Sequence, residues 1–221
     1  MKLRIHRFLP ATRTEGPGVR ACVWVQGCPI RCSGCAVPNT WPEEGGEEID
    51  VQDLAERILN GPSVEGVTFA GGEPFAQAEG LAHLGKILRN RGLSIVTYTG
   101  YLLEQIRRSS RTDWHDLLAV TDVLIDGPFR ADLRDVSRLW VGSSNQRVHF
   151  LTSRYRYWEA RLENTPNRME VRIQPDGRIA VNGIVDLERL ESWFAELARL
   201  ESAPGTAIKG KWSEGAGDGD A

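Results

Sequence analysis

The chain has 221 residues, a formal net charge of −3 and a pI of about 5.9, with 41% hydrophobic and 26% charged residues. That balance suits one globular domain with a real core and a small appendage, and it offers no basic surplus for nucleic acid or an anionic membrane. Neither the apolar stretch of a signal peptide nor a run of about 20 apolar residues is present, so no membrane partner and a cytoplasmic location are expected.

Leu3 to Phe8 and Val19 to Val25 read as strands flanking a Gly-Pro-Gly turn at 16–18. A cysteine-bearing loop follows, and then a polar Gly- and Glu-rich loop at 42–48. Asp50 fits an N-cap for a helix with Val51, Leu54, Ala55, Ile58 and Leu59 on one face, stopped by Gly61-Pro62. Val64 to Ala70 is an apolar strand, and Phe75 to Arg91 a helix ending at Gly92. The pattern continues with strands at 93–98, 123–125 and 147–151, and helices at 102–108 and 114–120. Such alternation predicts an α/β fold, a partial (β/α) barrel with mostly parallel strands. A hairpin over 169–181, turning at Pro175-Asp176-Gly177, and a helix capped by Asp186 form a C-terminal extension. The expected division is therefore a core at 1–151, a hairpin and helix packed on it at 152–202, and a disordered Gly-rich tail at 203–221.

Of the four cysteines, Cys28, Cys32 and Cys35 bunch in a CxxxCxxC loop, a spacing that serves a metal better than a disulfide framework. Three thiolates suit a 4Fe–4S cluster that keeps one iron open for a small molecule with an amine and a carboxylate. The alternative is a zinc site completed by a distant histidine such as His6 or His83. Cys22 stands apart in an apolar run, where a buried strand side chain is a better reading than a fourth ligand. The second constellation is Gly71-Gly72-Glu73-Pro74 at the end of a strand, where α/β folds bind ligands. Its glycines let the backbone approach a ligand, and Glu73 offers an acceptor for an ammonium group.

CxxxCxxC after an N-terminal strand, followed by GGEP after the next, resembles the radical S-adenosylmethionine superfamily. The nearer resemblance is to the activases of glycyl radical enzymes, especially that of anaerobic ribonucleotide reductase. It is carried by Glu15-Gly16-Pro17-Gly18-Val19-Arg20, Cys35 through Trp41, Tyr98-Thr99-Gly100-Tyr101 and Asp122 through Gln146. The resemblance implies that Cys28, Cys32 and Cys35 hold the cluster and that the open iron binds the amino and carboxylate groups of S-adenosylmethionine. Gly71, Gly72 and Glu73 would contact that amino group, with Thr99, Asp126 and Asn145 as further cofactor-binding residues. Asp126 capping a turn, and Ser143-Ser144-Asn145 as a solvated loop, are the plain alternatives. Reduction of the cluster would cleave the cofactor to methionine and a 5′-deoxyadenosyl radical, which takes hydrogen from a substrate.

Two features depart from the pattern. Ala36-Val37 replaces the aromatic–Asn pair expected after the third cysteine, whereas Gly34 matches the reductase activase. The extension at 152–200 goes beyond where those activases stop and is expected to narrow the barrel mouth. The implied partners are a glycyl radical enzyme, or a peptide or small nucleoside-like substrate, and an electron donor such as flavodoxin or ferredoxin. A non-catalytic electron carrier is disfavoured, because it needs neither an open iron nor an ammonium site.

Overall fold

A computed structural model describes residues 1–173, 179–184 and 187–201. Strands β1 (Lys2–Thr12) and β2 (Arg20–Val25) form an antiparallel pair around the Gly-Pro-Gly turn, with a register shift between Leu9 and Thr12. β3 (Glu47–Asp50) adds to β1 from within the polar loop, where its Glu-rich sequence carries little strand signal. Asp50 ends that strand and caps α1 (Val51–Leu59), its carboxylate accepting from the Gln52 amide at 2.8 Å. β4 (Gly66–Gly71), α2 (Ala78–Arg89), β5 (Ser94–Tyr98), α3 (Leu103–Arg108), α4 (Thr112–Val120) and β6 (Val123–Asp126) continue the alternation. β7 (Arg147–Phe150) returns antiparallel to β6.

The result is a seven-stranded sheet in the order β3-β1-β2-β4-β5-β6-β7, its central strands β2, β4, β5 and β6 parallel. The parallel part follows from helical crossovers; the antiparallel flanks are reached through loops with no α-helical crossover. Period-two alternation separates the faces of the sheet. Ala21, Val23 and Val25 of β2 join Val67, Phe69, Ile95 and Leu124 in the core shared with α1, α2 and α4. On the other face Cys22 and Trp24 pack with Leu9, Ala70 and Tyr98, and Val96 and Ile125 lie under Leu139, Trp140, Val141 and Tyr155. Cys22 is fully buried there, and burial lifts its thiol pKa well above the usual range.

Arg20 locks the lower end of this second face. Its guanidinium, wholly buried, donates to Thr68 Oγ1 and Ser94 Oγ at 2.9 Å and to the carbonyls of Val67 and Ser94 at 2.8 and 2.9 Å. Tyr155, from a 3-10 helix at Ser153–Asn164, completes the lock by bonding Ser94 Oγ at 2.8 Å.

The extension supplies an antiparallel hairpin, β8 (Met169–Ile173) with β9 (Ile179–Gly183). The hairpin belongs to the same compact unit as the sheet, which runs from Met1 to Ile184. Asn182 donates to Thr12 Oγ1 at 3.0 Å and Thr14 Oγ1 at 2.8 Å, and Glu170 accepts from Thr12 at 2.7 Å. Thr12 pairs with Arg20, the first residue of β2, whereas the cysteine loop follows the last residue of that strand. The described hairpin residues thus bond the turn between β1 and β2, and none of them lines the cavity beside Cys28–Cys35. Helix α5 (Leu187–Glu201) belongs to a second unit. The expected turn at 175–177, the Asp186 cap and the tail at 203–221 lie outside the described residues. Among those residues no helix is long and apolar enough to cross a membrane.

Candidate functional site

The carboxyl ends of the parallel strands converge on one cavity. It is lined by Cys28, Cys32 and Cys35 from the loop after β2, by Gly71, Gly72 and Glu73 after β4, and by Thr99 and Gly100 after β5. Gly127 and Phe129 after β6, with Gln146 before β7, close it. This is the position where open α/β sheets present ligands.

Backbone bonds weld the first two loops together. Gly72 N donates to Val25 O and Glu73 N to Gly27 O, both at 2.8 Å, while Cys28 N donates to Trp41 O at 3.1 Å. The approach is close enough that only glycine fits: a Cβ at Gly72 would meet Gly27 O at 2.2 Å, and one at Gly71 would meet the Trp24 Cα at 2.6 Å. Gly71 also sits at φ +98°, a region that side chains rarely adopt.

The three cysteines are free thiols, each half-buried in the cavity wall. Burial raises the thiol pKa of Cys28 and Cys32; against it, the amides of Ile30 and Arg31 face the Cys28 sulfur and the Phe129 amide faces Cys32. The Val37 amide reaches Cys35 Sγ at 3.4 Å. Inward N–H groups of this kind favour thiolates, the form that binds iron. Among the described residues no three His, Cys, Asp or Glu side chains converge tightly enough for a single metal ion. A four-iron cluster has no need of such convergence, because each thiolate takes a different iron. The zinc alternative loses its histidines as well: His6 bonds Gln26 Oε1 at 3.0 Å, and neither His6 nor His83 lines the cavity.

Glu73 is 1% exposed, and burial raises its carboxyl pKa to about 7. Its carboxylate accepts from Thr99 Oγ1 and Phe75 N at 2.9 Å and from Gly100 N at 2.8 Å. These donors oppose the effect of burial, and a carboxylate retains lone pairs for a further donor. A cation arriving in the cavity would favour the charged form.

Asp126 and Asn145 sit behind the cavity wall, while their neighbours Gly127 and Gln146 line it. Burial opposes the charge of Asp126, but bonds from His149, Arg147 and the Leu103 amide outweigh it and hold the pKa at about 2. Asp126 thus ties the start of α3 to β7, with Leu103 N at 2.7 Å and Arg147 Nε at 3.0 Å. Asn145 donates to Pro128 O at 2.8 Å, and its Oδ1 is buried with no partner among the described residues. Ile30, Thr40, Tyr98, Gly100, Gly127, Phe129 and Gln146 join the lining without having been singled out one by one from the sequence. All but Ile30 fall within the stretches that carried the resemblance.

Comparison with known proteins decides the family. The family described as "4Fe-4S single cluster domain" matches residues 14–149. The chain belongs to this family of radical S-adenosylmethionine enzymes. It is 31% identical over 157 residues to the anaerobic ribonucleoside-triphosphate reductase-activating protein of Escherichia coli strain K12, covering 67% of this chain and 99% of that one. The protein of the same name from Enterobacteria phage T4 is 32% identical over 148 residues, 64% of this chain and 90% of that one. The pyruvate formate-lyase-activating enzyme of Clostridium pasteurianum is 36% identical over 104 residues, 44% of each chain. The protein is thus related to the activases of glycyl radical enzymes, and its cofactors are a 4Fe–4S cluster and S-adenosylmethionine.

Proposed function

We propose that the protein activates a glycyl radical enzyme of the anaerobic ribonucleotide reductase type. The observation that carries this reading is the meeting of Cys28, Cys32, Cys35 and Glu73 in one cavity of a chain that matches a reductase-activating protein over 99% of that protein's length. Cys28, Cys32 and Cys35 would hold the cluster. When bound and reduced, cluster and S-adenosylmethionine together supply the electron and the deoxyadenosyl group that removes one hydrogen atom from the substrate.

The chain's own residues bind and orient. Gly71 and Gly72 leave room for the methionine end of the cofactor, and Glu73 receives its ammonium group. Thr99 and the Gly100 amide hold the Glu73 carboxylate in place. Asp126 and Asn145 frame the turn that brings Gly127, Phe129 and Gln146 to the wall. A low-potential flavodoxin or ferredoxin would supply the electron.

The test combines reduced, reconstituted protein, S-adenosylmethionine and the anaerobic ribonucleotide reductase of the same genome. A glycyl radical signal in electron paramagnetic resonance is expected. A second reading, radical modification of a precursor peptide or a small nucleoside-like molecule, rests on the third of the chain that the reductase-activating protein does not cover. It gains ground if cofactor cleavage is normal and no glycyl radical forms.

A further inference from the structure

Two loops clasp each other beside the cysteine loop. In one, residues 127–134 follow β6; in the other, residues 142–146 precede β7. Asn145 Nδ2 donates to Pro128 O at 2.8 Å, and Gln146 Nε2 to Gly127 O at 3.0 Å. Ser144 N reaches Leu133 O at 2.8 Å, and Arg130 N reaches Ser143 Oγ at 3.2 Å. The clasp lies against the cysteines: a Cβ placed on Gly34 would stand 3.1 Å from Ala131 Cβ and 3.5 Å from the Phe129 ring. From this turn the Phe129 amide faces the Cys32 sulfur. The other amides that face cysteine sulfurs among the described residues, those of Ile30, Arg31, Cys32 and Val37, belong to the cysteine loop itself.

We propose that Asn145 is a positioning residue for the cluster: by holding Pro128 it aims the Phe129 amide at the Cys32 sulfur and so raises the cluster's reduction potential. The physical reason is electrostatic. Reduction adds negative charge to the cluster and its thiolates, and an N–H dipole pointing at a ligand sulfur stabilises the reduced form more than the oxidised one. Pro128 has no amide hydrogen of its own, so the turn presents Phe129 as its donor. The same turn lines the cavity through Gly127 and Phe129, which places the control of potential beside the bound cofactor. This inference rests on the assignment of the cluster to Cys28, Cys32 and Cys35.

The test is a redox titration of the anaerobically reconstituted protein, without S-adenosylmethionine, followed by electron paramagnetic resonance. Asn145→Ala is expected to keep four irons and to lower the midpoint by up to about tenfold in the reduction equilibrium, or about 59 mV for one electron. Phe129→Pro removes the N–H directly and should shift the midpoint the same way. The double variant should fall no further than Phe129→Pro alone, since the two act through one bond. Ser144→Ala, in the same loop, should leave the potential unmoved. Mere loosening of the loop would admit water and raise the potential, the opposite sign. An unchanged or raised midpoint with an intact cluster overturns this inference alone. A wild-type protein that assembles no cluster overturns the cluster assignment and this inference with it.

Discussion

Thr99 donates its hydroxyl to Glu73 Oε1 at 2.9 Å, joining the loop after β5 to the carboxylate after β4. Both residues line the cavity with the three cysteines. Removing the hydroxyl with Thr99→Val leaves Glu73 with the amides of Phe75 and Gly100 as donors, so the charged form is less favoured. The affinity for S-adenosylmethionine should fall several-fold. Glu73→Ala should cost more, about 10- to 150-fold, the worth of a charge-assisted hydrogen bond of roughly 1.5–3 kcal/mol. Equilibrium dialysis against the oxidised protein measures both. Unchanged affinity in Glu73→Ala would remove the ammonium site from this cavity.

The second prediction concerns pH. Burial raises the Glu15 carboxyl pKa to about 7, against the pull of Arg7, the Asn182 side chain and the Gly183 amide. The folded pKa lies above the unfolded one, so folding favours the protonated acid. That contribution is complete below about pH 4.5 and is lost as pH rises through about 7, a change of about 3 kcal/mol. Glu73, raised to about 7 by burial, adds a slope of the same sign. Urea unfolding of the apoprotein should therefore show stability falling from pH 5 to pH 8. Glu15→Gln should remove part of the slope, and the double variant with Glu73→Gln most of it. A slope that survives the double substitution would mean that these carboxyls are not the source.

The third prediction concerns Arg20, a buried cation that bonds neutral oxygens of Thr68, Ser94, Val67 and Pro17. Arg20→Leu leaves three backbone carbonyls, of Pro17, Val67 and Ser94, and three hydroxyls, of Thr68, Ser94 and Tyr155, short of a donor. The expected cost is about 3 kcal/mol or more, read as a lowered urea midpoint. Since the lock lies at the end of β2 away from Cys28, the remaining folded protein should still assemble its cluster.

Much of this was legible in the sequence, for reasons that differ by residue. Ala21 to Val25 is a continuous apolar run, so β2 could be read as a buried strand, whereas the division of Ala21, Val23 and Val25 from Cys22 and Trp24 onto two faces came with the sheet. Cys28, Cys32 and Cys35, with Gly71, Gly72 and Glu73, are dense local motifs, and local motifs survive without knowledge of the fold. β3 was hidden because Glu47 and Glu48 are poor strand formers that gain their place by pairing with β1. The antiparallel return of β7 was equally hidden, since alternation of strands and helices says nothing about a strand reached through a loop. The seat of the hairpin depends on Asn182 meeting Thr12 and Thr14 across some 170 residues, a contact no periodicity encodes. Arg20 announced itself only as part of a motif; its burial became visible once Ser94 and Tyr155 were placed around it.

The fourth prediction follows from the hairpin's position. Asn182→Ala removes donors to Thr12, Thr14 and Glu15. It should lower stability by about 1–3 kcal/mol, the cost of buried acceptors left unpaired, while cofactor affinity stays near wild type. A marked loss of cofactor affinity at full stability would instead put the hairpin in contact with the cofactor cavity.

The central claim is that one iron of a cluster on Cys28, Cys32 and Cys35 stays open to S-adenosylmethionine beside Glu73. Electron paramagnetic resonance of the reduced, reconstituted protein with and without S-adenosylmethionine tests it most directly. The account predicts a 4Fe–4S signal that changes on addition of the cofactor in the wild type, changes less in Glu73→Ala, and is absent in each cysteine-to-alanine variant. A cluster signal indifferent to S-adenosylmethionine would contradict it.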